Sequence, residues 1–240
     1  MLRKIYQDRN MNNMAEYWEF HLRKAICDIN TNLTFYGLSP GEQLLDEIEQ
    51  TIKLFPDDPD CLLSFASCLY ETGKYKEACH IYGDILVINS SEVIKNKEKL
   101  YASLSKCRDI SRFKEKCLKA IELKPGDGGC YFIFGEILIK EGRIIEAIRA
   151  YEKSYRLSGR KMFLKALAHA YGLHGMDLFK KGYLEEGEPL LQIAVRYGDK
   201  TILNKSAVTL GIIYYRRNNL EKAREFFLSV SDNLTACRYL

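Results

Sequence analysis

Two stretches of this chain repeat each other at a fixed offset. A glycine, a large apolar residue, an alanine and a tyrosine recur in the same order 69 residues further along. The two sets are Gly73, Tyr75, Ala78 and Tyr82, and then Gly142, Ile144, Ala147 and Tyr151. This offset is about twice the period of roughly 34 residues that is typical of stacked helix-turn-helix units. It therefore predicts an all-α solenoid, in which each helix pair buries its apolar face against its neighbours.

Weaker copies of the pattern fall at half of this offset. One lies between the two clear copies, with Arg108 in place of the glycine, and two more follow at Gly182 and Asn218. Upstream, Ser39 and Glu42 form a predicted capping box at a helix start. We predict about five to six repeats in a single domain over residues 1–240, because five prolines and no long Gly/Ser run provide no linker. An N-terminal extension spans 1–24, and the repeats span approximately 25–58, 59–93, 94–127, 128–167, 168–203 and 204–235.

These residues resemble the tetratricopeptide repeat family. The clearest copy matches the family pattern with Tyr131, Gly135, Leu138, Gly142, Ala147 and Tyr151. The resemblance covers roughly residues 25–235. It implies a right-handed solenoid of antiparallel helix pairs, with a concave face lined by the first helix of each pair. It also implies a protein-binding scaffold or adaptor within a larger assembly, while the fold itself specifies no reaction.

Small residues on both helices of a pair fit this architecture. Ala66 and Ala78 in one repeat, and Gly135 and Ala147 in another, allow two helix axes to approach closely. Rows of tyrosine and phenylalanine then fill the space between successive pairs. We expect Gly135 and Ala147 to face each other within their pair.

The resemblance further implies that residues near the end of each first helix line a groove. They are Tyr70, Lys106, Phe132, Glu136, Ile139, Lys140, Met176, Phe179, Lys180, Ile212, Tyr215 and Arg216. A basic residue recurs in this set, and its last three occurrences directly follow an apolar or aromatic residue. Such a groove suits a peptide or partner segment with apolar and acidic groups, because cations steer acidic ligands and aromatic rings supply contact area. The alternative is a row of solvated lysines without a selective role.

Positive charge is concentrated in one part of the chain. Residues 95–124 carry ten Lys/Arg and four Asp/Glu, a net +6, while the whole chain is +4. A local excess of this kind binds phosphates or acidic surfaces, so a nucleic-acid-associated protein is a second hypothesis. A solvated outer helix face is the simpler explanation of the same charges.

The C-terminal end gives a third hypothesis. The residues that follow the last repeat, SDNLTACRYL, are too few for a full capping helix. Phe226, Leu228 and Tyr239 are therefore predicted to form an apolar edge. Copies of the chain would then assemble through this edge into a structural homo-oligomer.

The sequence contains no motif for catalysis, cofactor binding or metal binding. It lacks G-x-S-x-G, a phosphate loop and H-E-x-x-H, and its four histidines form no i,i+4 pair. We therefore predict no enzyme activity, no cofactor and no metal. The eight cysteines, at irregular spacings, are expected to be buried thiols rather than disulfides. Without an apolar leader segment or a run of roughly 18 apolar residues, we expect a cytoplasmic protein, with the nucleus left open, and no membrane span.

Overall fold

A computed structural model describes residues 57–107 and 109–230 of the 240-residue chain. The predictions for the extension 1–24, for nearly all of the repeat 25–58 and for Tyr239 lie outside these residues. The chain divides between Leu123 and Lys124 into two compact units, which we call unit 1 and unit 2. The assignment of one domain to the whole chain stays a prediction.

Unit 1 consists of helices joined by short connections. They are α1 Pro59–Glu71, α2 Tyr75–Ile88, α3 Ser90–Lys95, α4 Lys97–Lys106 and α5 Ser111–Leu123. Helix α2 is central, because it packs against α1, α4 and α5. The short helix α3 is not predicted by the repeat pattern. It begins where the side chain of Asn89 accepts a hydrogen bond from the backbone N–H of Ser91 at 3.0 Å.

Unit 2 continues the pattern of helix pairs. Its helices are α6 Gly128–Lys140, α7 Ile144–Ser158, α8 Lys161–Lys181, α9 Leu184–Tyr197, α10 Lys200–Arg216 and α11 Leu220–Leu228. Each helix packs on the next one, and the first helices α8 and α10 also pack on each other. The prediction of an all-α solenoid of helix pairs is confirmed.

Aspartate side chains begin three of the first helices. The carboxylate of Asp58 accepts hydrogen bonds from the backbone N–H groups of Asp60 and Cys61, both at 2.9 Å. Asp127 caps α6 and Asp199 caps α10 in the same way. These carboxylates satisfy N–H groups that have no partner within the helix, which fixes where each first helix starts.

Four turns between paired helices share one backbone conformation. In each, a residue with positive φ follows the first helix: Gly73 at 79°, Gly142 at 75°, Gly182 at 88° and Asn218 at 60°. The next residue then donates its N–H to a carbonyl five residues earlier, as from Tyr183 to Leu178 at 2.9 Å. This is the Schellman motif, which satisfies carbonyls at the end of a helix. It explains why the repeat places glycine, or once asparagine, at this position.

Gly182→Ala is expected to lower the free energy of unfolding by about 1 kcal/mol. A Cβ atom at Gly182 would meet no atom within 4 Å, so the cost comes only from holding alanine at φ +88°. Urea unfolding followed by circular dichroism measures this cost. Gly126→Ala is the matched control, because Gly126 is equally open and does not have a positive φ. An equal loss in the two variants would contradict the explanation.

The core of unit 2 places a glycine of each first helix against a large side chain of the second. A Cβ atom added to Gly135 would lie 2.5 Å from Cε1 of Tyr151, and one added to Gly175 would lie 2.8 Å from Cγ of Leu191. A third pair with the same separation of 16 residues is Gly211 and Phe227. The recurrence shows that this contact is a property of the repeat.

The residue nearest to Gly135 is not the predicted one. The atoms nearest to a Cβ at Gly135 belong to the ring of Tyr151 rather than to Ala147. Ala147 is fully buried, as expected for a small residue between helices. Because Gly135 has no side chain, the ring of Tyr151 packs directly against the backbone of α6.

Candidate partner-binding surface

Six of the predicted groove residues lie toward the C-terminal ends of α8 and α10, two helices that pack on each other. We call them the α8/α10 surface, and they are Met176, Phe179, Lys180, Ile212, Tyr215 and Arg216. Met176, Phe179 and Ile212 are half-buried against the core of unit 2. Tyr215 is 49% exposed. The guanidinium carbon of Arg216 lies 5.2 Å from the centre of the Phe179 ring, which is a cation–π contact.

Neighbouring cations at these helix ends differ in their partners. Lys181 pairs with an aspartate one turn earlier at 2.7 Å, and Arg217 pairs with Glu188. Within the described residues, neither Lys180 nor Arg216 contacts a carboxylate. The carboxylate of Asp177 interacts electrostatically with Lys180, so part of the positive charge beside Phe179 is balanced within α8.

A polar network holds α10 in place behind this surface. Glu188 of α9 accepts a hydrogen bond from the hydroxyl of Tyr214 at 2.5 Å and is paired with Arg217. Burial alone would raise the pKa of Glu188, but the hydrogen bonds from Tyr214 and Arg217 outweigh it and keep the pKa below its ordinary value. Since these partners flank Tyr215 and Arg216 in sequence, the network fixes the end of α10 that carries them. The repeat pattern contains no signal for this acidic residue.

Phe132 is a core residue, which corrects its prediction as a groove residue. It is 3% exposed and stacks on Phe163 with 4.6 Å between ring centres. Its ring also lies 5.9 Å from that of Tyr151. The ring fills space between one helix pair and the start of α8, so it is not accessible to a partner in this structure. The spacing of residues in the repeat does not show whether a residue at this position is buried, as Phe132 is, or exposed.

The other predicted groove residues of α6 are less enclosed. Glu136 is half-buried and accepts a hydrogen bond from the hydroxyl of Tyr151 at 2.7 Å. Ile139 is half-buried and Lys140 is exposed.

In unit 1, the predicted groove residues Tyr70 and Lys106 contact each other. The ammonium of Lys106 lies 5.1 Å from the centre of the Tyr70 ring. It also lies 4.4 Å from the centre of the Tyr75 ring and donates a hydrogen bond to the Tyr75 hydroxyl at 2.9 Å. Tyr75 belongs to the repeat pattern, which indicates a packing role and gives no sign of this polar contact.

Comparison with known proteins agrees with this architecture. Residues 129–160, which include most of α6 and all of α7, match the model of the tetratricopeptide repeat family. The chain carries a tetratricopeptide repeat. The resemblance stated from the sequence is thereby confirmed. No curated protein matches the sequence.

Solved structures of tetratricopeptide repeat proteins are similar to the chain at low sequence identity. PilF of Pseudomonas aeruginosa has a TM-score of 0.51 at 15% identity and covers 90% of this chain and 96% of its own. YrrB, a TPR protein with an unusual peptide-binding site, has a TM-score of 0.46 at 17% identity. The match covers 80% of this chain and 96% of YrrB. MamA has a TM-score of 0.45 at 18% identity, and the match covers 73% of this chain and 91% of MamA. At such identities the likeness to PilF shows the fold alone.

The basic segment 95–124 of this repeat protein is partly neutralised by the chain itself. Three of its lysines pair with acidic residues outside the segment: Lys95 with Glu92 at 2.6 Å, Lys99 with Glu71 at 3.9 Å, and Lys116 with Asp84. Such surface pairs add little stability, but they reduce the net charge that the segment presents. Nucleic-acid binding through this segment stays a prediction, which the salt dependence of binding tests.

Two of the residues predicted to form an apolar edge, Phe226 and Leu228, lie on α11. Leu228 is 52% exposed, and Leu220 at the start of the helix is 57% exposed. Phe226 is half-buried, because its ring stacks on Tyr214 with 5.6 Å between centres. Phe226 therefore contributes to packing within unit 2, and the exposed apolar area of this helix comes mainly from the two leucines.

If this edge joins copies of the chain, Leu228→Glu is expected to shift the protein toward the monomer without unfolding it. A charge placed in an apolar contact is desolvated without a partner, which weakens association. Sedimentation velocity over a range of concentrations measures the shift. Ile145→Glu on α7 is the control, because Ile145 is exposed to a similar extent, at 54%. A wild-type protein that is monomeric at every concentration would contradict the homo-oligomer hypothesis.

The cysteines of the described residues are buried in the helical core. The six in the described residues, Cys61, Cys68, Cys79, Cys107, Cys117 and Cys130, are buried thiols. Burial, with a contribution from Asp127, raises the pKa of Cys130 to about 12, which disfavours the reactive thiolate. Within residues 57–107 and 109–230, no group of His, Cys, Asp and Glu side chains has the arrangement of a metal site. None of the helices in that part of the chain combines the length and the apolar composition needed to cross a bilayer.

Proposed function

We propose that this repeat protein is a non-catalytic scaffold or adaptor, and that its α8/α10 surface binds a peptide or partner segment with apolar and acidic groups. The observation that supports the proposal is the contact of Arg216 with Phe179, next to an exposed Tyr215. Aromatic side chains and arginine contribute most strongly to protein interfaces. Cations that lack a carboxylate partner attract acidic ligands and steer their approach.

A labelled peptide of alternating Asp and Phe residues, the Asp/Phe peptide, tests this chemistry. Its counterpart with Asn in place of Asp, the Asn/Phe peptide, has nearly the same shape without the charge. Fluorescence anisotropy is expected to show that the Asp/Phe peptide binds about tenfold more tightly, and that salt weakens this preference. Equal affinity for the two peptides, or no binding of either, would contradict the proposal.

A photo-crosslinker tests the location. Benzoylphenylalanine in place of Tyr215 is expected to crosslink the Asp/Phe peptide, because this side chain is 49% exposed and directly precedes Arg216. The same group in place of Ile145, which is similarly exposed on α7, provides the control. Crosslinking of similar yield at both positions would indicate nonspecific binding and contradict the assignment of the surface.

A further inference from the structure

The contact between an aromatic ring and a cation recurs in unit 1 at equivalent positions of the repeat. Phe179 and Tyr70 each lie three residues before the glycine of the turn that ends a first helix. Arg216 and Lys106 are each the last residue of the next first helix, α10 and α4. In both units, therefore, a cation from one repeat lies over the ring supplied by the preceding repeat. Because the contact between ring and cation occurs twice at the same positions of the repeat, it is a recurring feature of these repeats.

The version in unit 1 holds its cation between two rings. The rings of Tyr70 and Tyr75 lie edge to face, with 5.5 Å between centres and an angle of 61°. The ammonium of Lys106 contacts both rings and is hydrogen-bonded to the hydroxyl of Tyr75. This hydrogen bond is the main reason why the pKa of Lys106 is raised, so the side chain is charged at neutral pH. We call these three residues the tyrosine clasp.

Holding the lysine in this way prepares it for an anionic ligand. An unrestrained lysine loses conformational freedom when it binds, which costs about 0.5–1.5 kcal/mol for a side chain of this kind. The clasp has already imposed part of that restriction on Lys106, although the side chain remains exposed. Within the described part of unit 1, no carboxylate contacts Lys106. Its charge is thus available to a carboxylate from another molecule.

We propose that the tyrosine clasp is a second binding element, which takes an acidic side chain of a partner segment on the ammonium of Lys106. The class of ligand rests on the proposed function of the α8/α10 surface, but the site and its residues are separate. A cationic ligand is the competing occupant of a pair of tyrosine rings. It is disfavoured here, because it would have to displace Lys106 from both rings and would be repelled by its charge.

Chemical labelling of lysines tests the clasp directly. The protein is acetylated with a limiting amount of an N-hydroxysuccinimide ester, with and without the Asp/Phe peptide, and each lysine is quantified by mass spectrometry. The peptide is expected to slow the acetylation of Lys106 about fivefold, the factor that corresponds to an ion pair of about 1 kcal/mol. Lys119, an exposed lysine of the same unit, is the internal control and should be unaffected.

Substitutions in the clasp separate charge from shape. The Phe179→Ala variant, in which the α8/α10 surface is weakened, serves as the background. In it, Lys106→Gln is expected to lower the affinity for the Asp/Phe peptide about fivefold further. Lys106→Arg should retain the affinity, because it keeps the charge and the contact with the rings. Circular dichroism verifies that each variant is folded.

The outcomes distinguish this proposal from the proposed function. If Phe179→Ala weakens binding while Lys106→Gln and the acetylation of Lys106 show no effect, the clasp is not a binding element and the α8/α10 surface stands. If the clasp variants weaken binding and Phe179→Ala does not, the clasp stands and the α8/α10 surface is wrong. Tighter binding of a Lys/Phe peptide than of the Asp/Phe peptide, lost on Tyr70→Leu, would overturn the clasp proposal in favour of a cation site.

Discussion

Gly135→Leu is expected to destabilise the protein by about 3 kcal/mol, the upper end of the usual range of about 1–3 kcal/mol for overpacked cores. The first atom of any side chain at this position would lie 2.5 Å from the ring of Tyr151. That ring is 2% exposed, and its hydroxyl donates a hydrogen bond to Glu136 at 2.7 Å, so a turn of the ring would disturb this bond. The better helix propensity of leucine offsets only about 1 kcal/mol of this cost. Thermal and urea unfolding, followed by circular dichroism, measure the loss.

Two further variants identify the cause of the effect. Gly126→Leu adds the same side chain at an open glycine of the same unit and should change the free energy of unfolding by much less. Tyr151→Ala alone should cost about 3–5 kcal/mol through the cavity that it leaves. The double variant Gly135→Leu/Tyr151→Ala should be more stable than the sum of the two losses predicts, since the leucine enters the vacated space. Strict additivity would contradict the contact between these two residues.

The repeat pattern predicts this core contact only in part. It places Gly135 at the interface of the two helices, but it suggests Ala147 as the opposing residue. The nearest atoms belong to Tyr151, which lies one turn further along the same face of α7 as Ala147. Periodicity predicts the buried face of a helix, but not how far each side chain on that face reaches. The turn glycines are predicted better. Their positive φ is a local requirement of the backbone, and the sequence expresses local requirements directly.

The candidate surface shows the same division between local and distant causes. The spacing that selects Phe179 also selects Phe132, yet one ring is half-buried at a helix end and the other lies within the core. What separates them is the neighbouring helix: Phe163, at the start of α8, covers Phe132. Glu188 and Tyr75 are missed for a related reason. Their partners come from other repeats or from an adjoining helix, so no short motif encodes the contact.

Phe179→Ala is expected to weaken binding of the Asp/Phe peptide by about 2 kcal/mol, or roughly thirtyfold. The half-buried ring packs against the core of unit 2, and it also contacts the guanidinium of Arg216. Its removal therefore takes away contact area and leaves the cation less restrained. Since such anchors act after the encounter, the loss should appear mainly as faster dissociation, which surface plasmon resonance measures.

Lys180→Glu is the contrasting variant at the neighbouring position. It changes an exposed charge and leaves the ring of Phe179 in place, so it should slow association and alter its dependence on salt, with a smaller effect on dissociation. Lys181→Glu is the matched control, because it makes the same change of charge at the next residue, which is not part of the α8/α10 surface. Charge reversals at Lys114, Lys116 and Lys119 provide the opposite test on the basic segment. Loss of binding in those three variants, with Phe179→Ala and Lys180→Glu unaffected, would move the partner-binding surface from the ends of α8 and α10 to α5.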